Sequence, residues 1–129
     1  MPASHTGGHG RFLYQITVDS HDLPRMARFW SAVLDWQVVF EHEEEIIIGA
    51  HPAALPGMCF VPVPEGKTVK NRLHIDLTPD DQDAEVRRIL ALGARRVDVG
   101  QGPDATFVVM ADPEGNEFCV LRPKRTLLD

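Results

Sequence analysis

The chain has 129 residues, 43% hydrophobic and 25% charged, with a formal net charge of −6, enough for one domain or for two half-domains sharing a core. The acidic balance argues against nucleic acid and anionic membrane surfaces, which need a basic face, and suits a neutral or cationic small molecule. No apolar run approaches the ~20 residues of a membrane span and no secretion-signal core is present, so the expectation is a cytoplasmic protein whose two cysteines are free thiols.

Residues 1–11 are rich in Gly, Ser and His without periodicity and read as a flexible N-terminal tail. His5 and His9 are the metal-capable side chains within it. Alternation and β-forming residues predict a strand over 13–19. Asp22 is placed to cap a helix with Pro24 in its first turn. Leu23, Met26, Ala27, Trp30, Val33 and Leu34 then fall on one helical face, and Trp30 reads as core. Strands are predicted over 37–41, 45–49 and 58–62, giving the order βαβββ.

A polar stretch over 64–71 separates this half from the next. A strand over 72–78 follows, and Thr78-Pro79-Asp80-Asp81 opens a second helix with a cap and acids that match the helix dipole. Val86, Ile89, Leu90 and Leu92 supply its apolar stripe. Strands over 95–99, 106–111 and 117–121 complete a second βαβββ unit. The turn Asp112-Pro113-Glu114-Gly115-Asn116 joins the last two strands, with Gly115 or Asn116 able to take a positive φ.

The two halves repeat. Gln15 and His74 are 59 positions apart and Cys59 and Cys119 are 60 apart, a period that marks two copies of one supersecondary unit. Strand alternation places Tyr14, Ile16, Val18, Leu73, Ile75 and Leu77 toward the covering helices. Gln15, Thr17 and Asp19, with His74, Asp76 and Thr78, face the other way. Cys59, Cys119, Glu117 and Leu121 share that second, polar face.

At this point the residues carry a resemblance. Gln15-Ile16-Thr17-Val18, the helix from Asp22 to Trp30 and Val33-Leu34-Asp35-Trp36 are similar to the first module of the vicinal oxygen chelate superfamily. That superfamily includes glyoxalase I, extradiol dioxygenases and bleomycin-resistance proteins. Leu73-His74-Ile75-Asp76-Leu77, Leu92-Gly93-Ala94 and the segment Ala111-Asp112-Pro113-Glu114-Gly115-Asn116-Glu117-Phe118-Cys119-Val120-Leu121 resemble the second module. The stretch from Lys67 to Leu77 resembles the glyoxalase-like subgroup. The resemblance implies an α+β domain over 12–129, with tandem βαβββ modules at about 12–63 and 72–122. Their sheets would curl around a ligand cup with helices outside, often in a homodimer.

In the metal-dependent members the ligands are typically His or Gln, Glu, His and Glu. Carried over by position, these fall on Gln15, Cys59, His74 and Cys119. Both glutamate positions hold cysteine. That exchange removes oxygen donors from an octahedral site and the carboxylate that glyoxalase I uses to move a proton, so glyoxalase I activity is not expected. The leading expectation is a domain that binds a small organic molecule, cationic or aromatic, without the usual divalent-metal tetrad and with no cofactor favoured. Gln15, Thr17, Trp36, Cys59, Arg72, His74 and Cys119 would line the site. The alternative is a lyase or isomerase using His74 with Asp76 or Glu117 as acid and base. Zinc held by His74, Cys119, Cys59 and Gln15 is the minority reading, and a Cys119 nucleophile activated by His74 a smaller one. A basic cluster, Lys67, Lys70 and Arg72, precedes the His74 strand and could steer an anionic group.

Overall fold

The computed structural model describes residues 10–129. The first nine residues of the expected tail, His5 and His9 included, lie outside the described residues. The chain divides into two compact units, the boundary falling between Gly66 and Lys67.

In the first unit, helix α1 spans Leu23–Leu34. Asp22 caps it, its carboxylate accepting from the Arg25 backbone N–H at 3.2 Å, which satisfies one of the helix's orphan donors. The helix stops at Asp35, whose φ of 55° is left-handed, a conformation that Asp tolerates better than most side chains. Leu23, Met26, Ala27, Phe29, Trp30 and Val33 are buried, so the predicted stripe is core except at Leu34, which is half-buried, and Phe29 joins it.

Strands β1 (Gln15–Ser20), β2 (Gln37–His42), β3 (Glu45–Gly49) and β4 (Gly57–Pro62) form one sheet in the order β1-β4-β3-β2. The β1–β4 pair is parallel and the other two are antiparallel. Register aligns Ile16 with Met58 and Val18 with Phe60, while Phe60 and Met58 pair with Ile46 and Ile48. Met58, Phe60, Ile46 and Ile48 are buried, and α1 packs chiefly on β3 and β4. The alternate row carries Thr17, Cys59 and Ile47 side by side. Tyr14 and Ile16 were expected under the helix but are exposed. The reason is the strand order: β1 is an edge, and α1 lies chiefly over β3 and β4.

The second unit repeats this plan. Strands β5 (Asp76–Leu77), β6 (Arg95–Arg96), β7 (Val108–Ala111) and β8 (Glu117–Val120) run in the order β5-β8-β7-β6, with β5–β8 parallel. Helix α2 spans Gln82–Ala91. Its cap is Asp81, which accepts from the Ala84 N–H at 3.1 Å. Thr78 instead ties down the C-terminal segment, its hydroxyl donating to the Arg122 carbonyl and accepting from the Lys124 N–H. Val86, Ile89, Met110, Phe118 and Val120 form the core, whereas Leu90 and Leu92 are exposed. The stripe of α2 is therefore narrower than its sequence implies.

The strands expected over 72–78 and 95–99 are each reduced to two residues. Leu73 is 89% exposed, so little apolar burial holds that part of the chain flat. The ladder is nonetheless continued by Cys119 N–H to the Ile75 carbonyl at 2.9 Å and Leu121 N–H to the Leu77 carbonyl at 2.7 Å. Both modules are thus βαβββ units of an α+β fold. Among the described residues, no helix is long and apolar enough to cross a membrane.

The turn before β8 is organised by Asp112, which is 3% exposed. Its carboxylate accepts from the backbone N–H groups of Glu114 and Asn116, both at 2.9 Å, and from the Asn116 side-chain amide. Gly115 takes the positive φ, 90°. Replacing Asp112 with Ala strips partners from several half-buried donors at once. The expected loss is about 2 kcal/mol in chemical denaturation, and a loss below about 0.5 kcal/mol would show that the turn does not depend on this carboxylate.

Candidate functional site

Parallel pairing positions the polar face of the second module. Asp76 lies directly across from Cys119. His74 precedes Asp76 by two residues, and its Nδ1 is 3.1 Å from Asp76 Oδ1. Both side chains are about half exposed, at 42% and 48%, while Cys119 is buried. One ligand-type atom from each of His74, Asp76 and Cys119 lies within 4.8 Å of the others. Burial pushes the Cys119 thiol up, and the charge of Asp76 and its hydrogen bond add to the effect; Lys70 partly offsets them. The direction is opposite to the lowered pKa by which a nucleophilic cysteine is activated.

The first module shows a related arrangement with different donors. Cys59 is buried and aligns with Thr17 and Ile47. Its thiol donates to Glu45 Oε2 at 3.4 Å. Burial, then the Glu45 hydrogen bond and charge, push the Cys59 thiol up to about 11. Gln15 is half-buried at the start of β1, Thr17 is exposed on it, and Trp36 is half-buried just before β2.

Glu45 did not emerge from the sequence reading. It ends the acidic run Glu43-Glu44-Glu45, which looks like a solvated turn. Strand parity held the signal: with Ile46 and Ile48 under α1, Glu45 must share the face of Ile47 and Cys59.

Glu117 has a separate role from the cluster. Its carboxylate accepts from Lys67 Nζ at 2.9 Å and from the Asn71 backbone N–H at 2.8 Å. The Asn71 side-chain amide also donates to the Glu117 carbonyl. Burial works to raise the Glu117 carboxyl, but the Asn71 N–H and the Lys67 ammonium outweigh it and hold the group below the usual carboxylate range. Arg72 is exposed on the segment that Glu117 secures.

The family described as the glyoxalase-like domain matches residues 15–121. The chain belongs to that glyoxalase-like family. No curated protein matches it. Among solved structures, this glyoxalase-like chain is similar to a glyoxalase/bleomycin resistance protein/dioxygenase family enzyme from Burkholderia phytofirmans PsJN. The TM-score is 0.69 at 16% identity, covering 88% of this chain and 100% of that one. It is also similar to the fosfomycin resistance protein FosX from Mesorhizobium loti, with a TM-score of 0.66 at 20% identity, covering 92% and 94% of the two chains. The glyoxalase I of Leishmania major, described as trypanothione-dependent, gives 0.64 at 14% identity, covering 88% and 87%. At these identities the likeness is one of fold.

The positions that the resemblance assigns to metal ligands carry an amide (Gln15) and a buried thiol (Cys59) in the first unit, and an imidazole (His74) and a buried thiol (Cys119) in the second. That donor set does not fit an octahedral site built from oxygen and imidazole.

Two outcomes follow from this geometry. Glu117→Gln should cost about 2 kcal/mol, because Lys67 loses its counter-charge in a mostly buried setting. A depressed carboxylate contributes stability above its unfolded pKa and loses it as pH falls through its folded value. The wild-type acid-side stability slope should accordingly flatten in Glu117→Gln, and identical slopes would contradict the pairing. At pH 8 a thiol titrating near 11 is thiolate in roughly one molecule per thousand. Alkylation of Cys59, followed by peptide mass spectrometry, should be slow, rise with pH, and quicken about tenfold in Glu45→Gln; an unchanged rate would remove Glu45 as a contributor.

Proposed function

We propose that this glyoxalase-like chain binds a small organic molecule on the polar faces of its modules, without the superfamily's four-ligand divalent-metal arrangement. The observation that carries the reading is the half-exposed His74–Asp76 pair beside the buried Cys119 thiol. A solvent-facing imidazole and carboxylate provide hydrogen-bonding and charged contacts that fix a ligand's orientation. The buried thiol adds a polarizable, weakly polar surface next to them. Within the second module Asp76 favours a cationic group; within the first, Glu45 does the same beside the neutral polar Thr17 and Gln15. Several neighbours by fold are resistance proteins or enzymes for small molecules, which supports the ligand class without naming the ligand. The exposed apolar side chains of β1 and β2, Ile16, Val38 and Phe40, support the homodimer reading.

A second reading is favoured by the 3.1 Å contact between His74 and Asp76. A carboxylate that orients an imidazole makes an acid–base pair, the equipment of a lyase or isomerase. Glu117 fits such a role less well, because its carboxylate is occupied by Lys67 and Asn71.

A calorimetric and thermal-shift panel of aromatic cations, with fosfomycin as an anionic comparator, tests the binding reading. Saturable binding of at least one aromatic cation is expected, weakened about tenfold or more by His74→Ala and Asp76→Asn, equivalent to about 1.4 kcal/mol. Absence of saturable binding across the panel, or binding indifferent to both substitutions, would overturn it.

A further inference from the structure

Three chemically different donors converge within the second module: an imidazole, a carboxylate and a thiol. The register explains why. Asp76 and Cys119 are direct partners across the parallel β5–β8 pair, and His74 falls on the same side of the chain two residues earlier. Asp76 is not among the four positions that the superfamily resemblance assigns to metal ligands. The mismatch at those four positions therefore does not exhaust what this face can hold.

We propose that His74, Asp76 and Cys119 form a three-ligand site for zinc or a cation of similar softness, contained in one module, with a fourth position open to water or a bound molecule. Three protein ligands and an open place are the usual form of a reactive zinc site, whereas structural sites close all four. A thiol with an imidazole selects a borderline cation. Manganese and magnesium favour near-octahedral oxygen sets, and one carboxylate does not supply them.

The distances suit the smaller polyhedron. Zinc bonds of about 2.0–2.3 Å place tetrahedral ligand atoms roughly 3.3–3.7 Å apart. The His74–Asp76 separation of 3.1 Å is already near that value, and the 4.8 Å bound on the cluster leaves about 1 Å of rotamer adjustment. Access is open from the His74 and Asp76 side, which is half exposed, while the thiol lies at the buried end. Coordination releases the Cys119 proton to solvent, and the resulting thiolate with the Asp76 carboxylate balances the 2+ charge. Lys70, whose positive charge works to lower the Cys119 pKa, opposes a bound metal. Lys67 is already held by Glu117.

The inference rests on the reading of this face as the functional one. Its test is separable, because organic-ligand binding is measured on chelator-treated protein and metal binding in the absence of organic ligand. The full chain, purified without a polyhistidine tag, is stripped by chelator and titrated with zinc, cobalt and manganese. One zinc per chain is expected, with manganese at least a hundredfold weaker. Cobalt should give thiolate-to-metal charge-transfer absorption. Cys119→Ser should abolish that absorption, His74→Gln and Asp76→Asn should weaken zinc tenfold or more, and Cys59→Ser and the His5→Ala/His9→Ala double variant should change nothing. Circular dichroism and melting of each variant confirm that the fold persists. Absence of zinc uptake, charge transfer that survives Cys119→Ser, zinc affinity indifferent to Asp76→Asn, or manganese binding as tight as zinc would each overturn the site.

Discussion

The parallel pairing of each module's first and last strands is the constraint on which the rest depends. In the first unit it runs from Gln15–Gly57 to Ser20–Pro62, and in the second it places Asp76 beside Cys119. A parallel pair needs a long connection between its strands, and α1 and α2 lie within those connections. The closing strand is thereby held between a parallel neighbour and an antiparallel one. Its inward residues, Phe60 in one module and Phe118 and Val120 in the other, are fully or almost fully buried. Its alternate residues, Cys59 and Cys119, are delivered to the opposite face.

A second regularity grows from that pairing. Each closing-strand cysteine has a carboxylate as its neighbour, Glu45 for Cys59 and Asp76 for Cys119. The carboxylate comes from different sides of the thiol, from β3 in the first module and β5 in the second. The thiol position repeats between the modules, and the position of the acid does not. The effect on both thiols has the same sign: burial and the adjacent negative charge oppose ionisation. The modules differ in what stands beside the pair. Thr17 in the first is neutral, and His74 in the second is basic, so the second module alone combines nitrogen, oxygen and sulfur donors among the described residues.

Much of this was legible in the residues. Asp22 and Pro24 announced α1, the period of about sixty announced the duplication, and the strand predicted over 45–49 matches β3. The His74–Asp76 contact followed from strand parity. What escaped reading has physical causes. The helix-facing row of β1 could not be seen as exposed, because exposure there depends on which strands α1 covers, a tertiary fact. The strand over 72–78 was overestimated because alternation of apolar residues persists even where Leu73 is exposed. Glu45 was hidden by its acidic neighbours, and the engagement of Glu117 with Lys67 and Asn71 is a contact across about fifty residues that no local pattern encodes.

That last contact has a consequence for how the second module opens. The segment from Lys67 to Leu73 has no regular sheet ladder of its own, so its attachment depends largely on the Glu117 side chain and the Asn71 amide. Its amide hydrogens should exchange through local release, on a free-energy scale separate from that of the Phe118 core. The chain leading into His74 is therefore expected to release separately from the sheet that carries Cys119.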